Sequence, residues 1–358
     1  MKSLRLGRDR SLSFLDLPEP SPPEPEEVQV QMAYASICGY DMMMLSGRAA
    51  YPKDGCLGHE GSAIVTAVGS RVSPADFRVG DRVTIMPYAS CGQCDACRSN
   101  RPEYCVEPGG RSDLMTERLN LSQKQIYRLP EEVSLQAGCL MEPLMMAMHA
   151  ISKANLSYGR SVILLGCGAM GQIILKLVRR HPVGRVVVVE PDPEKRMAAL
   201  RFGADMVLDP AGPGILFETL QASGGMGYDA VIEASGDRGS AQMALNIVAR
   251  GGAVVYFGLY GMDFNLEVNL FNLYWKDAVI SCVCVPSGQF PAALAMAGGL
   301  HLEEAVTAIY PFSAAIHAFE EKATGRHAKV MLRFLPPEEL ERRERGSIRP
   351  SNAAEGME

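Results

Sequence analysis

Ser161-Val-Ile-Leu-Leu-Gly-Cys-Gly-Ala-Met-Gly171 reads as a short apolar strand running into a glycine turn, with a helical pattern, Met170–His181, behind it. This is G-x-G-x-x-G in the setting where the pattern carries meaning. Gly166 allows a tight turn, Gly168 lets the backbone approach a pyrophosphate, and Gly171 lets helix and strand pack closely. Ala169 and Met170 fall at the helix start, where free N–H groups and the positive end of the helix dipole face the phosphates. Glu190 closes the next apolar run, nineteen residues beyond Gly171. A carboxylate there can accept hydrogen bonds from both ribose hydroxyls and would repel a 2′-phosphate, so NAD is expected rather than NADP. Arg196 either lines the adenosine pocket or sits on a solvated helix face. The bland alternative for the whole stretch is a glycine-rich turn beside a surface Glu. The order strand, glycines, helix, strand and acid argues against it.

Outward from this stretch the alternation continues. Ser161–Leu165, Arg185–Glu190, Ala230–Ala234 and Ala253–Leu259 are short and apolar, with helix-like Met170–His181, Pro193–Phe202 and Ser240–Val248 between them. Repeated strand–helix alternation predicts a doubly wound parallel sheet of Rossmann type, an α/β fold, over about 153–285. Residues 1–152 have a different texture. Runs such as Val28–Ala33, Gly61–Val68 and Asp81–Met86 are β-like, broken by Gly and Pro, and Pro18–Glu27 is a rigid polar connector. From 286 to 335 the chain is mixed, with a helix expected at Phe312–Lys322 and a strand at Ala328–Phe334. The remainder, 336–358, is a charged tail expected to be frayed or to begin as a short helix.

The chain has 358 residues, 47% of them hydrophobic and 21% charged, enough for two domains with sizeable cores. The net charge of −6 leaves no basic surplus for a general nucleic-acid binder. The N-terminus lacks the apolar core of a secretory signal, and no apolar run is long enough to cross a bilayer, so a cytoplasmic protein is expected.

Four of the ten cysteines crowd into Cys91-x2-Cys94-x2-Cys97-x7-Cys105. Four thiolates on a short polar loop suit a closed tetrahedral zinc, whose binding would supply folding energy that the loop, over about 88–108, lacks. Disulfides or an iron–sulfur cluster are the alternatives. A closed four-thiolate site has no open position for chemistry.

Taken singly, Cys38 in ICGYD, His59 and Glu60 in GHEG, and Glu142 in MEPL are weak signals; a lone Cys is more often a small core residue. Their order is not. Cys-Gly-x-Asp, GHE, a four-cysteine lobe, EPL and G-x-G-x-x-G together resemble the zinc-dependent medium-chain dehydrogenase/reductase family, from about Lys2 to Phe334. Further matches are GDRV at Gly80–Val83, FGAD at Phe202–Asp205 and TGRHAKVMLRF at Thr324–Phe334. Glu at EPL looks like the sorbitol/polyol dehydrogenase branch. The resemblance implies a β-rich GroES-like catalytic domain built from the N-terminal half and the C-terminal segment, with the Rossmann domain inserted. It implies a catalytic zinc held by Cys38, His59 and Glu60, with Glu142 as a ligand directly or through water, and Asp41 orienting His59. With the four-cysteine site, that makes two zincs per chain. It also implies a basic residue, Lys329, near the cofactor pyrophosphate, and a homodimer or homotetramer formed through the strands around Val279–Val285. An exposed lysine at a strand end is the plainer reading of Lys329.

The expected reaction is interconversion of a secondary alcohol and its ketone, the metal acidifying the hydroxyl and hydride passing to or from NAD. A polyol, sugar alcohol or cyclitol is the expected substrate. The alternatives are reduction of a more apolar carbonyl, or a non-catalytic zinc and dinucleotide-binding homologue. Two departures matter. Tyr40 stands where the family usually has a Ser or Thr to relay the alcohol proton, so Tyr40 is expected to take over the relay or gate the pocket. Met42–Met44, Met141, Met145, Met146 and Met148 cluster nearby, either as core filler or as an adaptable apolar pocket.

Overall fold

The computed structural model describes residues 1–107, 109–110, 113–212, 214–283 and 289–345. Its strands are β1 (Lys2–Leu6), β2 (Leu12–Asp16), β3 (Glu27–Ile37), β4 (Gly61–Val68), β5 (Arg82–Ile85), β6 (Arg118–Ser122), β7 (Ile126–Arg128), β8 (Val162–Leu165), β9 (Val186–Val189), β10 (Met206–Leu208), β11 (Tyr228–Glu233), β12 (Val248–Tyr256), β13 (Val279–Cys282), β14 (Val306–Pro311) and β15 (Lys329–Arg333).

Strands β8 to β13 form one sheet in the order β10-β9-β8-β11-β12-β13, every pair parallel. The order reverses between β8 and β11, and the glycine turn follows β8 at that switch point, where open α/β sheets bind ligands. Val162–Leu165 and Val186–Val189 are buried along their whole length, as strands covered on both faces must be. Helices Ala169–Val178, Pro193–Arg201 and Arg238–Ile247 return the chain between them.

The second sheet runs β14-β15-β3-β4-β5-β7, with β6 also on β3. Strand β15 pairs antiparallel with β3, so the C-terminal segment completes the sheet of the N-terminal half. One apolar cluster joins the two sheets: Tyr34 and Ile64 pack with Leu144, Met145, Leu164, Phe290 and Met331.

Three local readings change. Helix Met141–Lys153 runs through the EPL segment, in a half whose Gly and Pro content suggested few helices. The helix expected at Phe312–Lys322 is a 3₁₀ turn, Phe312–Ala314, followed by helix Ala315–Ala323. The charged tail begins as the short helix that was the other expectation, Pro337–Arg345, and that part is docked, not frayed, with Leu340 buried and Glu344 paired to the buried Arg82. The Arg82 guanidinium also donates to Val133 O (2.7 Å) and Glu131 O (3.1 Å), so the GDRV arginine ties three segments together. The rest of the tail lies outside the described residues.

Candidate active site and metal centres

Strand β3 ends at Ile37, and Cys38 caps the short helix Gly39–Leu45. Asp41, in the first turn and fully buried, accepts from Cys38 N on Oδ2 (2.9 Å) and from Gly58 N on Oδ1 (3.4 Å), and Oδ1 lies 3.8 Å from His59 Nδ1. The carboxylate thus fixes the cap, the turn before His59 and the imidazole together. His59 and Glu60 immediately precede β4, and the ligand atoms of Cys38, His59 and Glu60 lie within 4.8 Å of one another. Glu142 enters from the first turn of helix Met141–Lys153.

The electrostatics are those of a site short of positive charge. Burial, reinforced by Glu60 and Asp41, pushes Glu142 up to about 7 against the pull of His59 and Lys329. Burial works against a charged His59, but Cys38, Asp41 and Glu142 outweigh it and hold its pKa well above the usual value. Two oxygens, a sulfur and an imidazole that together stabilise a proton will also stabilise a cation, and this mixed donor set suits zinc. Glu60 is the exception: it is ion-paired with Lys329 and accepts from Ser36 Oγ, which lowers its pKa despite burial. Lys329 is buried, which rules out the exposed strand-end reading, and its ammonium pairs with Glu60 of the cluster.

A cleft of about 210 Å³ opens onto this cluster, lined by His59, Tyr40, Tyr88, Met44, Tyr51 and Lys53, among others. Tyr40 presents its ring edge-on to His59, centroids 6.5 Å apart. Sequence reasoning missed Tyr88. It sits in an irregular stretch after β5, where no periodicity marks a residue, and burial raises its pKa, with Glu142 and Cys38 adding. It also missed Lys322, half-buried near Lys329, whose pKa desolvation lowers to about 8. The methionines fall mainly into the cores. Met43, Met44, Met141 and Met145 are buried, Met42, Met146 and Met148 pack against them, and of the seven only Met44 lines the cleft.

In the cysteine lobe the sulfurs of Cys91, Cys94, Cys97 and Cys105 also lie within 4.8 Å of one another. Their spacings of 3.5 Å (Cys94–Cys97), 3.9 Å (Cys91–Cys97) and 4.0 Å (Cys94–Cys105) are far too long for S–S bonds. They match the edge of about 3.8 Å that a tetrahedron with zinc–sulfur bonds of about 2.3 Å requires. Backbone N–H groups of Cys91 and Cys94 already point at Cys105 and Cys91 sulfur, both at 3.3 Å, as thiolates need.

At the glycine turn the three glycines separate by role. Gly166 has φ +94°, and a Cβ there would meet Ser235 Cα at 2.8 Å; one on Gly171 would lie 2.2 Å from Gly166 O. A Cβ on Gly168 would meet no protein atom within 4 Å, so what that position leaves free is space. The buried Glu190 carboxylate accepts from Cys167 N (2.7 Å) and Asp192 N (3.0 Å), which aims it at the turn. Arg196 donates to Glu190 O and Pro191 O, each at 2.7 Å, and pairs with Asp209 at 3.0 Å, the bonding of a residue that holds its own loop.

Residues 24–131 match the alcohol dehydrogenase GroES-like domain and residues 169–298 match the zinc-binding dehydrogenase domain. An uncharacterized zinc-type alcohol dehydrogenase-like protein of Escherichia coli K12 is 30% identical over 308 residues, 82% of this chain and 87% of that one. A probable D-xylulose reductase A of Aspergillus terreus is 27% identical over 84% of this chain and 88% of its own length. Among solved structures, an alcohol dehydrogenase of Escherichia coli CFT073 in complex with NADH is similar at 25% identity and TM-score 0.83, covering 93% of this chain and 99% of that one. A Sinorhizobium meliloti chain bound to NADP shares the fold over the same fractions, with TM-score 0.86 at 24% identity. The chain belongs to the zinc-binding alcohol dehydrogenase family, oxidoreductases of the medium-chain dehydrogenase/reductase type.

Proposed function

We propose that this chain interconverts a secondary alcohol of a polyol-like metabolite and its ketone, with NAD as hydride carrier. The observation that carries the reading is the convergence of Cys38, His59 and the buried Glu60, with His59 also lining a cleft edged by Tyr40, Tyr51 and Tyr88. Cys38, His59 and a carboxylate would hold the catalytic zinc. We assign that carboxylate to Glu142, which has no hydrogen-bond partner among the described residues, whereas Glu60 is engaged by Lys329 and Ser36. When bound, the metal acidifies the substrate hydroxyl. Asp41 keeps the imidazole oriented, as a carboxylate behind a ligating histidine does. Tyr40 and Tyr88 bracket the cleft, and Tyr40, the more exposed, carries the proton outward; turnover and pH profile unchanged in Tyr40→Phe would remove it from that role. Gly168 would leave room for a pyrophosphate, and Glu190, held at the glycine turn, would bind the ribose hydroxyls, which favours NAD.

The four-cysteine lobe would carry a structural zinc. A homodimer through the free edge of β13 is supported by its exposed Val279 and Ile280 and by the apolar residues Phe271, Tyr274 and Trp275 exposed on the neighbouring helix. No described helix is long and apolar enough to cross a membrane.

The test is NADH absorbance with zinc-loaded protein against polyols, simple secondary alcohols and apolar ketones, each with NAD(H) and NADP(H). Turnover of polyols with preference for NAD is expected. Activity on apolar ketones alone would favour the carbonyl-reductase alternative, and cofactor binding without any turnover would end the catalytic reading.

A further inference from the structure

Resting on that reading and narrowing its substrate, we propose that the cleft selects a polyol carrying an anionic group, a carboxylate or a phosphate, held by Lys53 and Arg8 at the mouth. His59 is buried while Lys53 is exposed, yet both line the same cleft, so a ligand reaching outward from the metal cluster passes Tyr51 to Lys53. The β1–β2 turn folds over that end. Tyr51 OH donates to Leu6 O (2.6 Å), and the Arg8 and Arg10 guanidiniums lie 5.4 and 5.7 Å from the Tyr51 ring centre. Gly55, at φ +69°, is packed so closely that a Cβ would meet Leu6 O at 2.3 Å, which holds the Lys53 loop against the turn.

The charges are not all alike. Arg5 is used inside the wall, on Cys56 Sγ and 3.9 Å from Asp113, and Arg10 donates to Met44 O. Asp9 accepts from Ser11 N and Oγ within its own turn (3.0 and 2.7 Å). Lys53 and Arg8 have no carboxylate partner among the described residues, although Asp54 is the sequence neighbour of Lys53. A protein of net charge −6 repels anions in general, so Lys53 lining the cleft and Arg8 5.4 Å from the ring of Tyr51, which also lines it, make a local exception. A neutral polyol would gain little from them. A carboxylate or phosphate would gain charge-assisted hydrogen bonds.

The test compares sorbitol, gluconate and sorbitol 6-phosphate on zinc-loaded enzyme, wild type and Lys53→Met, Lys53→Arg and Arg8→Met. At least one anion is expected to exceed sorbitol about tenfold in kcat/KM, since a hydrogen bond to a charged group contributes at least about 1.5 kcal/mol. The ratio of anion to sorbitol should fall about tenfold in Lys53→Met and recover in Lys53→Arg, a pattern general damage to the loop would not produce. Gluconate and sorbitol 6-phosphate separate carboxylate from phosphate. Preference for sorbitol, or a ratio unmoved in both methionine variants, overturns the proposal and leaves the polyol reading intact. If nothing is turned over, the polyol reading fails, and calorimetric titration of gluconate and sorbitol 6-phosphate decides this one alone. Binding lost in Lys53→Met supports it; no binding, or equal binding, overturns it.

Discussion

Gly168 and Gly171 stand three residues apart in one motif, yet the structure gives them opposite sensitivities to the same added methyl group. At Gly168 the backbone has φ −63° and ψ −168°, open to any residue, and the new Cβ touches nothing. Alanine there costs the fold no more than a weakened helix cap, about 1 kcal/mol at most. Where the pyrophosphate approaches, the same methyl is an overpacked contact, about 1–3 kcal/mol, or about 5- to 150-fold in affinity. At Gly171 the Cβ falls 2.2 Å from the Gly166 carbonyl, a backbone atom in a turn itself pinned against Ser235. An overpacking cost of about 3 kcal/mol, less about 1 kcal/mol for Ala over Gly in a helix, leaves about 2 kcal/mol. For domains of this size that is a Tm lower by about 4–8 °C. Thermal melts and NADH fluorescence titrations of Gly168→Ala and Gly171→Ala read both quantities. Gly168→Ala binding NADH like wild type would refute the reasoning, as would a Gly168→Ala melt depressed as far as that of Gly171→Ala.

Zinc uptake at the Cys38 site should strengthen steeply as pH rises through about 7: without metal, Glu142 titrates near 7 and His59 higher, so below those values the ion must displace protons. Competition with a chromogenic chelator checks this, and Glu142→Gln should flatten the dependence by about one proton; pH-independent uptake would contradict it. Glu344→Ala removes the carboxylate from buried Arg82 and the acceptor from Leu135 N (2.6 Å), costing about 2 kcal/mol and lowering the Tm by about 4–8 °C; an unchanged melt would mean the C-terminal helix is not held there. Sedimentation should find wild type dimeric and Val279→Lys monomeric, and a monomeric wild type would exclude the β13 edge as an interface.

The strand–helix alternation after Ser161 was legible because periodicity and glycine placement are local, and the parallel sheet follows from them. The two clusters that could hold a metal were legible only as ordered motifs, since Cys38 and the pair His59 and Glu60 come from separate parts of the chain and no spacing rule links them. What escaped was set by tertiary contact. Tyr88 joins the site from an irregular segment, and Lys322 is half-buried near Lys329 by packing that no sequence window displays. Lys329 itself shows the limit of a residue-by-residue carry-over. The resemblance implied a lysine near the cofactor pyrophosphate, and the fold pairs that lysine with Glu60, which sequence reading had assigned to zinc. Glu344 was hidden for the opposite reason, because a run such as EELERRER has the composition of a solvated tail until Arg82 is known to lie buried opposite it.

The most direct test of the central claim is zinc per chain, measured in wild type and in Cys38→Ser, each paired with NAD reduction on a polyol panel. Two zincs falling to one, with activity lost and the fold retained by the intact four-cysteine lobe, is the predicted result. One zinc in both proteins with equal activity would contradict it, leaving the Cys38, His59 and Glu142 cluster without a metal and the dehydrogenase mechanism without its site.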